Sequence, residues 1–128
     1  MPTGTSVLSW SSDGRRLLAA GRRRATVFHL TGAASRTVPA RGRLAAAAFP
    51  PTSGPPALLE RRGGRSAIRL LGARQPLIST GGRYRGLEWS PDGRWLLTQW
   101  EDQWLYVRRD GRRIVTAPAQ GRPLAWGR

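Results

Sequence analysis

The sequence predicts an all-β fold built from repeated units of four short antiparallel strands. Its 16 Gly, 10 Pro and 6 Trp among 39% hydrophobic residues favour short strands joined by turns over long helices. Its length of 128 residues suits one domain with a modest core and is too short for two well-packed ones. An internal repeat of about 40 residues is the third observation. We therefore treat residues 1–128 as a single domain.

The repeat is clearest between LSWSSDGRRLL, which begins at Leu8, and LEWSPDGRWLL, which begins at Leu87. Their tryptophans are 79 residues apart. Half of that offset is about 40 residues, the length of one β-propeller blade. A degraded copy is therefore expected midway, where an aromatic residue precedes a Pro-rich turn, and a fourth copy begins near residue 124. The repeated aromatic positions are Trp10, Phe49, Trp89 and Trp126.

Turn signals divide the third copy into four strands. Residues 90–93 predict a tight turn, because Pro91 presets φ to about −65°, Asp92 can bond the backbone that follows it, and Gly93 accepts positive φ. Residues 110–111, Asp-Gly, give a second hairpin signal. The predicted strands are 84–89, 94–100, 103–108 and 112–117.

The other two copies fit the same template. The first has Asp13-Gly14 in its first turn and later strands predicted at 17–20, 25–30 and 35–39. The second fits less well, because Pro55-Pro56 lengthen its turn, and its later strands are predicted at 57–60, 66–71 and 76–79. The predicted blades span residues 5–40, 42–80 and 83–118, and residues 122–128 begin the next blade.

These motifs resemble the TolB-type, WD40-like β-propeller repeat, whose signature is a leucine or alanine, an aromatic residue, Ser-Pro-Asp-Gly-Arg and an apolar strand. Residues 87–97 match it fully, Ser12 replaces the proline in the first copy, and the second copy lacks the aspartate. The resemblance implies small twisted sheets that pack face to face around a central channel, each with its first strand beside the channel. It implies structural roles for Trp10, Asp13, Gly14, Phe49, Trp89, Pro91, Asp92, Gly93, Trp104 and Trp126.

The charge of the chain has two interpretations. Its 22 basic residues outnumber 7 acidic ones, for a net charge of +15, and every basic residue is arginine. A chain without Lys, Asn or Cys favours the codon bias of a GC-rich, bacterial genome as the source of this charge. A footprint for nucleic acid or an anionic surface is the second interpretation. The arginine clusters at 22–24, 61–62, 108–109 and 112–113 fall at strand ends or turns, where charge is easily solvated.

No residue pattern predicts catalysis. The one histidine, His29, lies in a strand pattern without a nucleophile or an orienting acid beside it. With one His and no Cys, a zinc site is excluded, and no cofactor is expected. Glu101 and Asp102 are adjacent, and adjacent strand residues point to opposite faces, so they suit a solvated turn. We therefore predict a protein that is not an enzyme and has no catalytic or metal-binding residue.

The sequence leaves the cellular location open. Residues 1–9 lack a basic region followed by a long apolar one, so no signal peptide is predicted. The longest apolar stretch, 44–49, is far below membrane-spanning length. We expect a soluble chain, cytoplasmic by default and extracytoplasmic if it is part of an exported TolB-like protein.

Function follows from the predicted scaffold by analogy. Closed propellers have about four to eight blades, so three blades predict either a fragment of a longer propeller or a subunit that self-associates through open blade edges. The leading hypothesis is a non-catalytic scaffold that binds a protein or peptide. The alternatives are a module that binds nucleic acid or an anionic surface, and the propeller domain of a prolyl-oligopeptidase-type serine peptidase without its hydrolase domain.

Overall fold

A computed structural model describes residues 6–21, 23–32 and 34–118. This part of the chain consists of twelve strands and their turns, arranged in three four-stranded antiparallel sheets of consecutive strands. The predicted all-β fold with three four-stranded blades is therefore confirmed. The predicted first strand of a fourth blade lies outside the described residues. No helix in the described ranges is long and apolar enough to cross a membrane.

The strand bounds follow the repeat. Blade 1 contains β1 (Ser6–Trp10), β2 (Arg16–Gly21), β3 (Arg24–His29) and β4 (Arg36–Pro39). Blade 2 contains β5 (Arg43–Ala48), β6 (Ala57–Arg62), β7 (Arg65–Leu70) and β8 (Ile78–Gly81). Blade 3 contains β9 (Tyr84–Trp89), β10 (Trp95–Trp100), β11 (Gln103–Arg108) and β12 (Ile114–Pro118). The strands predicted at 84–89 and 103–108 match in full, and the others shift by one or two residues.

The first turn of blade 3 is held by the Ser-Pro-Asp-Gly motif. Ser90 Oγ donates to Asp92 Oδ1 at 2.6 Å, and the backbone N–H of Trp95 donates to Ser90 Oγ at 3.0 Å. The same carboxylate oxygen accepts from the backbone N–H of Arg94 at 3.0 Å. Gly93 has a φ of +72°, which side chains with a Cβ rarely adopt. Blade 1 repeats this turn with Ser11, Asp13, Gly14, Arg15 and Arg16.

The strand register decides which side chains face a neighbouring blade. Residues paired directly across antiparallel strands lie on the same face of the sheet. In each blade, three residues paired across the first three strands form a row on one face of the sheet. In blades 2 and 3 this row faces the preceding blade, and in blade 1 the equivalent row lies on the face turned away from blade 2. We call it the docking row. The docking rows are Trp10–Leu17–Phe28 in blade 1, Ala47–Leu58–Arg69 in blade 2 and Trp89–Leu96–Val107 in blade 3.

The core lies between blades. Between blades 2 and 3, eight buried residues form one cluster, which includes Leu59 and Ile68 on one side and Trp89 and Leu96 on the other. Between blades 1 and 2, a smaller cluster joins Leu18, Val27, Phe49 and Leu58. Full burial of one leucine side chain contributes roughly 1.5–3 kcal/mol, so these junctions hold the blades together.

Candidate functional site

The first strands of the three blades, β1, β5 and β9, lie side by side and are the inner strands. β5 contacts both β1 and β9, so these strands form a continuous inner wall. All three run in the same direction, because every blade begins with its inner strand and repeats the same antiparallel order. We call the end at which they begin the upper end, and the end at which they finish the lower end.

A pocket of about 310 Å³ lies at the lower end, where the inner strands finish. All three blades contribute to its lining, which includes Ser9, Trp10, Phe49, Glu88 and Trp89. Its walls offer aromatic rings, three serine hydroxyl groups and one carboxylate. Such a lining suits an apolar or cationic side chain of a partner and contains no nucleophile paired with a base.

Trp89 is the aromatic residue of the repeat in blade 3, and it contacts the preceding blade. Its indole is 7% exposed and packs against blade 2. Its Nε1 donates a hydrogen bond of 2.8 Å to the backbone oxygen of Ala48. The guanidinium of Arg109 lies 5.9 Å from the ring centroid. Trp89 therefore joins two blades through apolar packing and one directed hydrogen bond.

Phe49 joins blade 2 to blade 1, but it lies further along its blade than Trp89 does in blade 3. The register places Ala47, and not Phe49, level with Trp89 of blade 3, because the first hairpin of blade 2 is longer. The Phe49 ring is nevertheless buried against Leu18 of blade 1. Arg16 covers it at 4.8 Å from the ring centroid and donates to the backbone oxygen of Gly54 at 3.1 Å. Phe49 therefore lies two positions beyond the residue that is level with Trp89.

Trp10 is exposed, unlike Phe49 and Trp89 at the corresponding places in the repeat. It is 54% exposed, although it corresponds in register to the buried Trp89. The reason is positional, because its docking row faces away from blade 2 and no described blade lies on that side. The other members of this row, Leu17 and Phe28, are half-buried.

The remaining motif residues have structural positions. Pro91 and Gly93 lie in the first turn of blade 3, and the hydrogen bonds to Asp92 from Ser90 and from the Arg94 backbone lower the pKa of its carboxyl. Asp13, with Gly14 in the equivalent turn of blade 1, has its pKa lowered in the same way, first by Ser11. Trp104 is half-buried in β11. Trp126 lies outside the described residues.

A buried ion pair is the feature that sequence reasoning missed. Arg69 Nε lies 2.8 Å from Glu60 Oε1, and both side chains are at most 6% exposed. The backbone N–H of Arg41 donates to Glu60 Oε2 at 2.6 Å, and Arg69 Nη1 donates to the Ala73 carbonyl at 3.1 Å. Burial raises the pKa of Glu60, but the bonds from Arg69 and Arg41 outweigh it, so the net shift is downward. The signal was an arginine in a docking row that is otherwise apolar.

A second pocket, of about 220 Å³, opens beside this ion pair. Arg41, Arg62 and Arg65 line it together with Glu60 and Arg69. Glu60 is the one carboxylate among the lining residues, against four arginines, so the pocket is electropositive. It lies at the upper end of blade 2, on the side that faces blade 1.

The candidate reactive residues are not brought together. His29 is the last residue of β3 and is paired with Arg16. Glu101 and Asp102 lie in the turn between β10 and β11, where Glu101 has a φ of +54°. Within residues 6–21, 23–32 and 34–118, no group of three or more His, Cys, Asp or Glu side chains could hold a metal ion. The described geometry provides docking surfaces and pockets at both ends of the inner strands.

Comparison with known proteins identifies the fold. No protein-family model matches the sequence, and no curated protein matches it. The crystal structure of the Cps50 (Swd1) β-propeller domain of Myceliophteria thermophila matches with a TM-score of 0.66 and 15% sequence identity. The match covers 95% of this chain and 42% of that one, so this chain spans less than half the length of its neighbour. The described residues therefore have the fold of three β-propeller blades.

Proposed function

We propose that this chain is a non-catalytic segment of a longer β-propeller, of the TolB-like type, that serves as a protein-interaction scaffold. The contrast between two tryptophans at the same place in the repeat supports this proposal. Trp89 is 7% exposed where its docking row packs on blade 2, whereas Trp10 is 54% exposed. Trp10 shares its docking row with Leu17 and Phe28, which are half-buried, and no described blade covers this row. An uncovered apolar row of this kind is typical of a surface that binds another protein surface.

A further propeller blade fits this surface best. The docking rows of blades 2 and 3 pack against the face of the preceding blade, and Trp89 adds a hydrogen bond to Ala48. Trp10 belongs to a row of the same kind and carries the same indole N–H. The blade that we assign to it belongs to a longer chain, because the structural neighbour is more than twice as long as the matched part.

The proposal is tested by the solution mass of the chain, measured by light scattering over a range of concentrations together with far-UV circular dichroism. We expect a β signal and a mass that rises continuously with concentration, because the uncovered docking row is adhesive. Trp10→Asp is expected to suppress this association. Leu30→Asp is the matched control, because Leu30 is 56% exposed and follows β3 at the same end.

Two results would contradict the proposal. Equal association by the Trp10 and Leu30 variants would show that the docking row of blade 1 is not the contact surface. A single fixed multiple of the chain mass, independent of concentration, would assign the face to a second copy of this chain and not to a blade of a longer one.

A further inference from the structure

Four arginines converge at the upper end of the junction between blades 2 and 3. Arg43 begins β5 and is paired in register with Arg61 of β6. Arg61 Nη2 donates a hydrogen bond of 2.6 Å to the backbone oxygen of Tyr84. Tyr84 begins β9 and stands between Arg83 and Arg85 in the chain. We call Arg43, Arg61, Arg83 and Arg85 the arginine cluster.

No described carboxylate neutralises this cluster. The ion pairs among the described residues are Glu60–Arg69 and Arg108–Asp110, and neither includes a member of the cluster. Glu101 is an acidic side chain in the vicinity, since its Oε1 lies 3.1 Å from the position that a Cβ on Gly82 would occupy. It forms no ion pair with the cluster, so a concentration of positive charge remains at this end of the inner wall.

Arg61 carries the clearest sign of an absent partner. Its Nε is a buried atom without a hydrogen-bond acceptor, one of two such side-chain atoms among the described residues. Burial lowers the pKa of Arg61, and the charges of Arg83, Arg43 and Arg85 lower it further. An arginine remains protonated at neutral pH even so, because a guanidinium group loses its proton only under strongly basic conditions. An anion at this place would both offset the repulsion and stabilise the exposed guanidinium groups.

We propose that the arginine cluster binds an acidic peptide segment through its carboxylates. The inference rests on the proposed function and names the chemical class of its partner. A peptide is favoured over a nucleic acid, because nucleic-acid bases need exposed aromatic rings on which to stack. The large apolar side chains that are exposed all lie toward the lower end: Trp10, Leu30, Ile114 and Val115.

The test measures the binding of fluorescent hexaglutamate to the full chain by anisotropy, at an ionic strength of about 0.15 M. Arg83→Gln with Arg85→Gln is expected to weaken binding about tenfold or more, because two charge-assisted contacts are lost. Arg112→Gln with Arg113→Gln is the matched control, since it removes the same charge from exposed residues of the same blade. The control is expected to change the affinity by less than about twofold.

Arg43→Gln probes the same cluster from blade 2 and is expected to weaken binding as well, with an unchanged circular dichroism spectrum. Equal losses in the two double variants would overturn the site, because the peptide would then respond only to net charge. Absence of hexaglutamate binding would overturn it also. Binding of a short oligothymidine that depends on Arg83 and Arg85, without peptide binding, would assign the cluster to nucleic acid. The self-association of the chain through Trp10 is measured separately, so the proposed function can stand when this site fails.

Discussion

The two junctions between blades are built differently, although they join copies of one repeat. The junction between blades 2 and 3 is an apolar cluster of eight buried residues, centred on Trp89 and Leu96. The junction between blades 1 and 2 has four buried apolar residues, and it adds the Glu60–Arg69 ion pair and an arginine stacked on Phe49. Blade 2 has lost the repeat's signature, and polar contacts take the place of its missing tryptophan. The same architecture can therefore be held by apolar packing or by satisfied charges.

The largest expected effect tests the ion pair at the junction between blades 1 and 2. Arg69→Met leaves the buried carboxylate of Glu60 without its partner, and we expect a loss of roughly 3–5 kcal/mol in the free energy of unfolding. The double variant Arg69→Met with Glu60→Leu is expected to recover most of that loss, because the desolvation penalty of both charges disappears. Urea denaturation of the single and double variants measures both values. A single variant as stable as the wild type would show that the pair does not hold the junction.

A pair of adjacent leucines compares the two junctions directly. Leu58 and Leu59 are both fully buried, but Leu58 packs toward blade 1 and Leu59 toward blade 3. Substitution of a buried leucine by alanine costs about 2–5 kcal/mol, and the cost is greatest where neighbours cannot close the cavity. We expect Leu59→Ala in the larger cluster to approach the upper value and Leu58→Ala the lower. Equal losses in chemical denaturation would show that the junctions do not differ in packing.

The contrast between Trp89 and Trp10 predicts a smaller difference. Trp89→Phe removes the hydrogen bond to the Ala48 carbonyl and part of the packed ring, and we expect a loss of about 1–3 kcal/mol. Trp10→Phe, at the equivalent position of blade 1, is expected to change the free energy of unfolding by less than about 0.5 kcal/mol, because that indole is exposed. Thermal unfolding at one low protein concentration measures both. A large loss for Trp10→Phe would indicate that its docking row is already covered.

The sequence predicts the fold well where local chemistry decides the structure. The Ser-Pro-Asp-Gly turn at 90–93 follows strand 84–89, and the Asp-Gly turn at 110–111 follows strand 103–108. Both strands are predicted with correct bounds. The exposure of Trp10 could not be predicted, since burial of a repeat residue depends on whether a neighbouring blade is present. The Glu60–Arg69 pair was missed for a related reason, because it depends on the register of β6 and β7. Tertiary contacts, unlike turns, are not encoded within a few adjacent residues.

The smallest expected effect concerns the equivalent first turns of blades 1 and 3, which should make equal contributions to the pH dependence of the unfolding free energy. Hydrogen bonds from Ser11 and Ser90 lower the pKa of Asp13 and Asp92 below the ordinary value of 3.8. Each carboxylate therefore stabilises the fold fully above that value, and its contribution is lost as the pH falls through the lower pKa of the folded state. Asp13→Asn and Asp92→Asn should each flatten the acid dependence of the unfolding free energy to the same small extent, since both Ser–Asp bonds are 2.6 Å long. Unfolding by urea at a series of acidic pH values measures this. An unequal response of the two variants would show that the turn of blade 1, beside the uncovered docking row, is not formed as that of blade 3 is.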